Sequence, residues 1–168
     1  YDFYLDDFSP AIATEMVLGR GVSVCLLDDI QLTGNIDRVD LINNKTKDVK
    51  VVDYKTGKPQ TRNEIEGKTK NASLHYKRQL IFYRLLGDLA NNFPYVVKEA
   101  ELDFIEPDQG GKFRREKFEI TKEEVEELKD LIKQTMKKIR ALQFDRTTDK
   151  TLCQSCEFLS HCYPNGLN

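Results

Sequence analysis

The stretch GNIDRVDLINNKTKDVKVVDYKTGK, residues 34–58, contains two apolar runs that carry acid and base where a sheet usually holds Val and Ile. The polar Asn-Asn-Lys-Thr segment between the runs is typical of a turn, so we expect strands over residues 30–42 and 48–55. Residues two apart in a strand project from one face, so Asp53 and Lys55 point the same way. The stretch therefore predicts a pair of neighbouring strands with a charged patch on one face.

Patterning on either side of this stretch predicts an α/β domain with a mixed sheet of about five strands. The sheet has a hairpin edge, and two amphipathic helices flank it. The second helix begins with a capping box, in which Glu124 follows Thr121 by three residues. The further expected elements are strands at 22–27, 97–105 and 113–120, helices at 74–91 and 121–142, and a long polar loop at 56–73.

Composition describes an ordinary globular chain, in which 39% of the 168 residues are hydrophobic and 32% are charged. That length suits one domain, which we divide into a lead-in (1–20), a core (21–143) and a cysteine-bearing tail (144–168). The net charge of −2 excludes a domain that holds nucleic acid through a global basic field alone. Phosphate chemistry here would need a local cation or a metal.

Apolar runs, the first residue and the cysteines give expectations about the cellular compartment and the parent protein. No apolar run approaches the length of a membrane span and no signal peptide is recognisable, so we expect a cytoplasmic protein without a membrane partner. The chain starts at Tyr1 without methionine, which we interpret as a piece of a longer protein. Cys153, Cys156 and Cys162 cluster near the other end, which favours metal ligation or a reducing compartment over a secreted disulfide scaffold.

The charged strand residues have two interpretations. An Asp and a Lys two residues apart in a strand are most often an ordinary ion pair, worth about 0–1 kcal/mol at a surface. Asp37 on the preceding strand favours the alternative, because Asp37 and Asp53 can converge on one cation. Mg²⁺ prefers hard oxygen ligands and is commonly held by one or two carboxylates together with substrate phosphates. With Lys55 to activate water or to neutralise charge on phosphorus, the set suits hydrolysis of a phosphodiester.

Two residues of the first helix fit the same interpretation. Gln79 and Tyr83 are four residues apart and so lie on one helix face. Taken alone, Tyr83 is a core aromatic and Gln79 its solvated neighbour. Beside a metal site they offer an amide and a phenol to a phosphate or to the lysine.

These motifs, in this order, resemble the RecB-like branch of the PD-(D/E)XK nuclease superfamily. The matching segments are GNIDRVD from residue 34, VDYKTG from residue 52, and QLIFY from residue 79. The resemblance implies a restriction-endonuclease-like fold, Mg²⁺ or Mn²⁺ bound by Asp37 and Asp53, a catalytic Lys55, and a Gln-x-x-x-Tyr motif of Gln79 and Tyr83. It also implies that the backbone carbonyl of Tyr54 completes the metal shell.

Within that branch the chain is similar to nuclease domains at the C-terminus of UvrD-like, ATP-dependent helicases such as AddA, AddB and RecB. The implied partners are DNA, as single-stranded ends, and the helicase domains of the parent chain. The implied role is exonuclease action in DNA end processing, recombination and repair in the bacterial nucleoid. The alternatives are a catalytically silent DNA-binding or docking module of the same fold, and a stand-alone exonuclease.

The resemblance also implies a 4Fe-4S cluster on Cys153, Cys156 and Cys162, whose Cys-x2-Cys-x5-Cys spacing matches that of the iron–sulfur members. The fourth ligand of those members lies upstream of the core. Cys25 is the one other cysteine here, and its place inside a predicted strand favours a buried, inert thiol. Zinc held by the three cysteines and His161 is the alternative.

Two further sets complete the candidates. The branch places a histidine or glutamate ahead of the first strand in the metal site, and Glu15 is the candidate for that role here. Basic residues near Lys55 in the chain are by default a solvated face, and on the nuclease interpretation they contact phosphates. These DNA-binding candidates are Lys58, Arg62, Lys77 and Arg78.

Overall fold

A computed structural model describes residues 10–70, 72, 74–147 and 149–166. The described residues divide into two compact units, with the boundary between Ile132 and Lys133. The first unit holds the sheet and the charged strands, and the second holds the cysteine cluster.

The described strands of the first unit are β1 (Ala11–Leu18), β2 (Leu26–Leu27), β3 (Ile30–Gln31), β4 (Gly34–Asn43), β5 (Asp48–Lys55), β6 (Val96–Phe104) and β7 (Arg114–Glu119). Five of them form one mixed sheet in the order β1-β4-β5-β6-β7. Only β5 and β6 run parallel, while β4 is antiparallel to both β1 and β5, and β7 is antiparallel to β6. The predicted α/β class with a mixed five-stranded sheet is therefore confirmed. Strands β2 and β3 pair in a separate two-stranded hairpin.

The two long helices begin close to where the sequence predicts them. The predicted capping box is present, since Thr121 Oγ1 accepts from the Glu124 N–H at 3.2 Å and Glu124 Oε2 accepts from the Thr121 N–H at 2.9 Å. The helices are α1 (Arg62–Ile65), α2 (His75–Leu89), α3 (Lys122–Arg140), α4 (Lys150–Cys153) and α5 (Leu159–Cys162). None of them is long and apolar enough to cross a membrane among the residues searched.

Three sequence predictions differ from the structure. The edge strand beside β4 is β1, within the predicted lead-in, and only the last two residues of 22–27 form a strand. Gly19 makes this route possible, because its φ of +81° turns the chain after β1 and a side chain there would collide with the Leu32 carbonyl. The expected strand 30–42 is interrupted at residues 32–33, and the loop 56–73 contains α1 with its own capping box of Thr61 and Glu64.

Helix α2 covers one face of the sheet, where it contacts β6 and also β4 and β5. Its inward side chains Leu80, Leu85 and Leu86 are fully buried. Burial of each such leucine contributes about 1.5–3 kcal/mol. This packing fixes the helix over the sheet and determines where Gln79 and Tyr83 lie relative to β5.

The opposite face of the sheet carries a ladder of alternating charge across four strands, which we call the charge ladder: Asp40, Lys50, Glu101 and Lys117. The register places Asp40 opposite Lys50, and Glu101 opposite Lys117. Their charged atoms are 3.7 Å apart for Asp40–Lys50, 3.3 Å for Lys50–Glu101 and 3.8 Å for Glu101–Lys117. Asp40 thus forms ion pairs within the sheet and lies on the face away from Asp37.

Candidate active site

The first feature of the site is a fork between β4 and β5. Backbone pairing of these strands ends at Arg38 opposite Val52, although both strands continue. Continuing that register would place Asp37 beside Asp53. At the fork it is the side chain of Asp37 that bonds to β5, because Asp37 Oδ2 accepts from the Tyr54 N–H at 2.8 Å. The Asp37 side chain is therefore tied to the residue that follows Asp53, at the point where the pairing stops.

Asp53 is the more deeply placed carboxylate, with 2% of the residue exposed. Its Oδ1 accepts a hydrogen bond from the Tyr83 hydroxyl at 2.7 Å. Its Oδ2 lies 2.5 Å from Lys55 Nζ. That oxygen is buried and makes no hydrogen bond of good geometry to a described residue. Asp53 thus keeps one buried oxygen with capacity for a further positive ligand.

Lys55 and the two helix residues complete a closed ring with Asp53. Lys55 Nζ donates to Gln79 Oε1 at 2.7 Å, and Gln79 Nε2 donates to the Tyr83 hydroxyl at 2.8 Å. The Tyr83 hydroxyl donates its own proton to Asp53, which closes the ring. The ion pair of Lys55 with Asp53 is the fourth side of the ring, which fixes the orientation of the Gln79 amide and the position of the lysine ammonium.

Tyr76 is a member of this site that the motif analysis did not include. Its ring centroid lies 4.7 Å from Lys55 Nζ, within the range of a cation–π contact. Tyr76 also packs edge-on against Phe104 of β6, at 6.2 Å between centroids. The available signal was its position three residues before Gln79, which places both on one face of α2.

The environment of Tyr83 keeps its hydroxyl protonated. Burial raises the pKa of Tyr83 well above its ordinary value, and the hydrogen bond to the Asp53 carboxylate raises it further. The Gln79 amide acts in the other direction without reversing the shift. A neutral phenol is the form that can donate to Asp53, so protonation state and ring geometry agree.

Comparison with known proteins shows the superfamily of the chain. A family model for the PD-(D/E)XK nuclease superfamily matches residues 5–163. The chain belongs to the PD-(D/E)XK nuclease superfamily. A comparison with curated proteins finds no match.

A solved structure titled "Crystal structure of SSO0001" has a similar fold, with a TM-score of 0.55 and 18% sequence identity. The match covers 99% of this chain and 66% of that one, so this chain spans a little under two thirds of its length. At this identity the likeness concerns the fold alone. It agrees with the restriction-endonuclease-like arrangement of sheet and helices.

Superfamily nucleases typically use divalent metals, and the fork of this chain fits one. It offers two hard carboxylates, a buried Asp53 oxygen without a hydrogen bond to a described residue, and a neighbouring lysine. Within the described residues, no three or more His, Cys, Asp and Glu side chains gather as a metal site. The fit is therefore to an ion held by two protein carboxylates and completed by other oxygen ligands.

Glu15 and the Tyr54 carbonyl are the other two predicted metal ligands. The register of β1 on β4 brings Glu15 to the row of Asp37, because Thr14 faces Arg38 and Met16 faces Ile36. The Glu15 carboxylate, however, accepts from Asn35 Nδ2 at 2.7 Å, and its φ is +49°. Glu15 and the Tyr54 carbonyl remain predicted ligands.

The described cysteines of this superfamily member give no support to the predicted iron–sulfur or zinc site. Cys153 is buried, with its Sγ 3.8 Å from the Asp149 carbonyl oxygen, whereas Cys156 is exposed and Cys162 half-buried. The described part of the chain contains no cluster of three metal-ligating side chains, His161 included. In the other unit Cys25 is fully buried, near Ser23 Oγ and the Leu86 carbonyl, as expected of an inert thiol.

The four predicted DNA-binding residues have different surroundings. Lys58 and Arg78 are exposed, and Arg62 is half exposed beside β7. Lys77 instead pairs with Glu124 at 3.2 Å and stacks on the Phe118 ring at 4.5 Å, with 12% of its side chain exposed. Through these contacts Lys77 takes part in the packing of α2 against α3 and β7.

Proposed function

We propose that this chain is the metal-dependent nuclease domain of a RecB-like helicase–nuclease and hydrolyses DNA phosphodiesters. The observation that carries the proposal is the buried Asp53 oxygen, which faces the Lys55 ammonium at the fork while the rest of Asp53 is locked in the hydrogen-bonded ring. A structural ion pair alone would not need a glutamine and a tyrosine to orient it.

Asp37 and Asp53 are the proposed protein ligands of Mg²⁺ or Mn²⁺, with the Tyr54 carbonyl and Glu15 as further candidates. A bound divalent ion would polarise the scissile phosphate and make an attacking water more acidic. Both carboxylates are held before any ion arrives, because Asp37 is anchored by the Tyr54 N–H and Asp53 by the Tyr83 hydroxyl. This preorganisation reduces the cost of assembling the site.

Lys55 is the proposed catalytic lysine, which orients the attacking water or neutralises charge on the phosphate. Gln79 holds its ammonium from one side and Asp53 from the other, and the Tyr76 ring covers a third. A fixed ammonium can position water for in-line attack and stabilise the charge that grows on the phosphate oxygens. Gln79 and Tyr83 are positioning residues on this account, since they act through Lys55 and Asp53.

The proposed substrate is single-stranded DNA at an end, delivered by ATP-dependent helicase domains of the parent chain. Exonuclease action of this kind serves DNA end processing, recombination and repair in the bacterial nucleoid. A chain with a net charge of −2 suits a domain that receives its substrate from a motor.

The test uses end-labelled single-stranded DNA with Mn²⁺, and compares the wild-type chain with D53N. D53N should lose about 100-fold or more of the cleavage rate, the scale on which loss of one preorganised electrostatic group acts. D130N is the matched control, because Asp130 is an exposed aspartate of α3. This variant should cleave DNA at the wild-type rate. Equal cleavage by wild type and D53N, or by neither, would sink the nuclease assignment.

A further inference from the structure

A groove of about 640 Å³ runs along β7, the last strand of the sheet. We call it the β7 groove. Five of its lining residues are cationic and two are acidic, so it concentrates positive charge in a chain whose net charge is −2. The lining residues are Arg62, Asp108, Lys112, Phe113, Arg114, Arg115, Glu116 and Lys117.

The two acids of the β7 groove organise its cations. Asp108 Oδ1 accepts from the N–H groups of Gly110 and Lys112, at 2.8 and 3.0 Å, and so shapes the turn that presents Lys112. Glu116 lies between two arginines, 3.2 Å from Arg114 and 3.7 Å from Arg62. The acids thus hold the turn and the guanidinium groups in place, and the excess charge remains positive.

Three cations of the groove keep a substantial part of their side chains exposed. Lys112 is exposed, Arg114 has 37% of its side chain exposed and Arg62 has 49%. Arg115 and Lys117 have their partners on the other face of the sheet, since they pair with Asp103 and Glu101. The available charge therefore lies on the side that α1 shares with β7, where Arg62 donates to the Lys117 carbonyl at 2.8 Å.

The groove also contains an aromatic side chain at its surface. Phe113 follows Lys112 directly, and 38% of the residue is exposed. Proteins that bind single-stranded nucleic acid combine a positive groove for the backbone with aromatic rings on which bases stack. A base that is paired in a duplex does not offer its face in this way, so the combination favours a single strand.

The sheet register connects the groove to the candidate active site. Lys55 lies opposite Phe104 of β6, and Phe104 lies opposite Arg114 of β7. Lys55 and Arg114 thus occupy one row, two strand spacings or about 10 Å apart. A strand whose phosphodiester reaches Lys55 brings neighbouring phosphates to the β7 groove.

We propose that the β7 groove binds the backbone of single-stranded DNA beside the bond that is cleaved, with Arg62, Lys112 and Arg114 on phosphates and Phe113 stacked on a base. This inference rests on the proposed nuclease function for its choice of substrate. It adds a binding track that none of the sequence motifs contains, because only Arg62 was among the predicted DNA-binding residues.

The test is fluorescence anisotropy of a labelled single-stranded oligodeoxynucleotide on the 168-residue chain, in EDTA so that no cleavage occurs. K112Q/R114Q should weaken binding about tenfold or more at low salt, and should reduce the slope of log K against log[salt] by about 0.7 for each phosphate that the variant no longer neutralises. F113A should weaken binding about fivefold or more, because a base can no longer stack on the ring. K112E alone, at an exposed turn, provides the same test should the double variant fold poorly.

The matched control is K45Q/K47Q, which removes the same charge from the exposed turn between β4 and β5. Its binding should equal that of wild type. Equal losses of DNA affinity in K45Q/K47Q and K112Q/R114Q would contradict the proposed binding in the β7 groove. Wild-type affinity in both K112Q/R114Q and K112E would contradict it as well. Wild-type cleavage with Mn²⁺ is measured in parallel. A chain that cleaves while the groove variants bind normally refutes the groove alone, and one that binds through the groove without cleaving refutes the nuclease alone.

Discussion

Tyr83 illustrates how a single buried residue links the fold to the site. Its hydroxyl accepts from Gln79 and donates to Asp53, and only 4% of the residue is exposed. The sequence alone favours a core aromatic at this position, and the i, i+4 relation to Gln79 adds a role at the site. Both interpretations describe the same side chain, because the ring packs in the core while the hydroxyl reaches the carboxylate.

The raised pKa of Tyr83 predicts a pH-dependent stability. In the fold the phenol stays protonated, so its stabilising contribution is complete below the ordinary tyrosine pKa of about 10 and is lost as the pH rises above it. Urea unfolding at about pH 8 and pH 11 should show a larger loss of unfolding free energy for wild type than for Y83F. Y95F is the control, since Tyr95 packs on Phe93 and takes no part in the ring of Asp53, Lys55, Gln79 and Tyr83. This variant should lose as much unfolding free energy as wild type. Equal losses in wild type and Y83F would contradict the assigned environment.

At the scale of elements, the charge ladder distinguishes the two faces of the sheet. Alternation in the sequence shows that Asp40 and Lys50 cannot share a face with Asp37 and Asp53, since they differ by an odd number of residues along each strand. It does not show that Lys50 lies between two carboxylates, because Glu101 comes from β6, which joins β5 only after the chain has passed through α2.

Lys50 should therefore be needed for stability. Only 4% of its side chain is exposed, and K50M would leave Asp40 and Glu101 buried without their shared cation. Asp40 keeps Arg38 at 2.6 Å and Glu101 keeps Lys117 at 3.8 Å, so we expect a loss of about 1–3 kcal/mol in the free energy of unfolding at pH 7. Urea denaturation of K50M against K45M measures it, the second being a lysine-to-methionine change at an exposed turn. Similar stabilities of the two variants would show that the ladder contributes little.

The elements that the sequence predicted well have strong local signals. The capping box of Thr121 and Glu124 and the apolar stripe behind it define α3, and alternating Val residues define β5. The edge strand β1 was missed because the apolar residues of AIATEMVL do not alternate with polar ones, and the segment pairs with β4 only through the turn that Gly19 permits. Long-range pairing of this kind has no local signature.

At the scale of the whole molecule, the candidate site depends on three elements that meet from distant parts of the chain. The sequence motifs predict Asp37, Asp53, Lys55 and the Gln79–Tyr83 pair as site residues, and their types favour phosphodiester chemistry. The ring of hydrogen bonds, the contact of Tyr76 with Lys55 and the position of the β7 groove follow from how α2 and β7 pack and pair. Those relations become visible only in three dimensions.

The central claim is that Asp37 and Asp53 hold a divalent cation beside Lys55, and direct metal binding tests it most plainly. Mn²⁺ binding to the wild-type chain can be followed by isothermal titration calorimetry and by the loss of the free-ion electron paramagnetic resonance signal. We expect saturable Mn²⁺ binding in wild type and in D130N, and a loss of at least about tenfold in affinity in both D37N and D53N, because each variant removes one of two carboxylate ligands. Wild-type affinity in D37N and D53N would contradict the account.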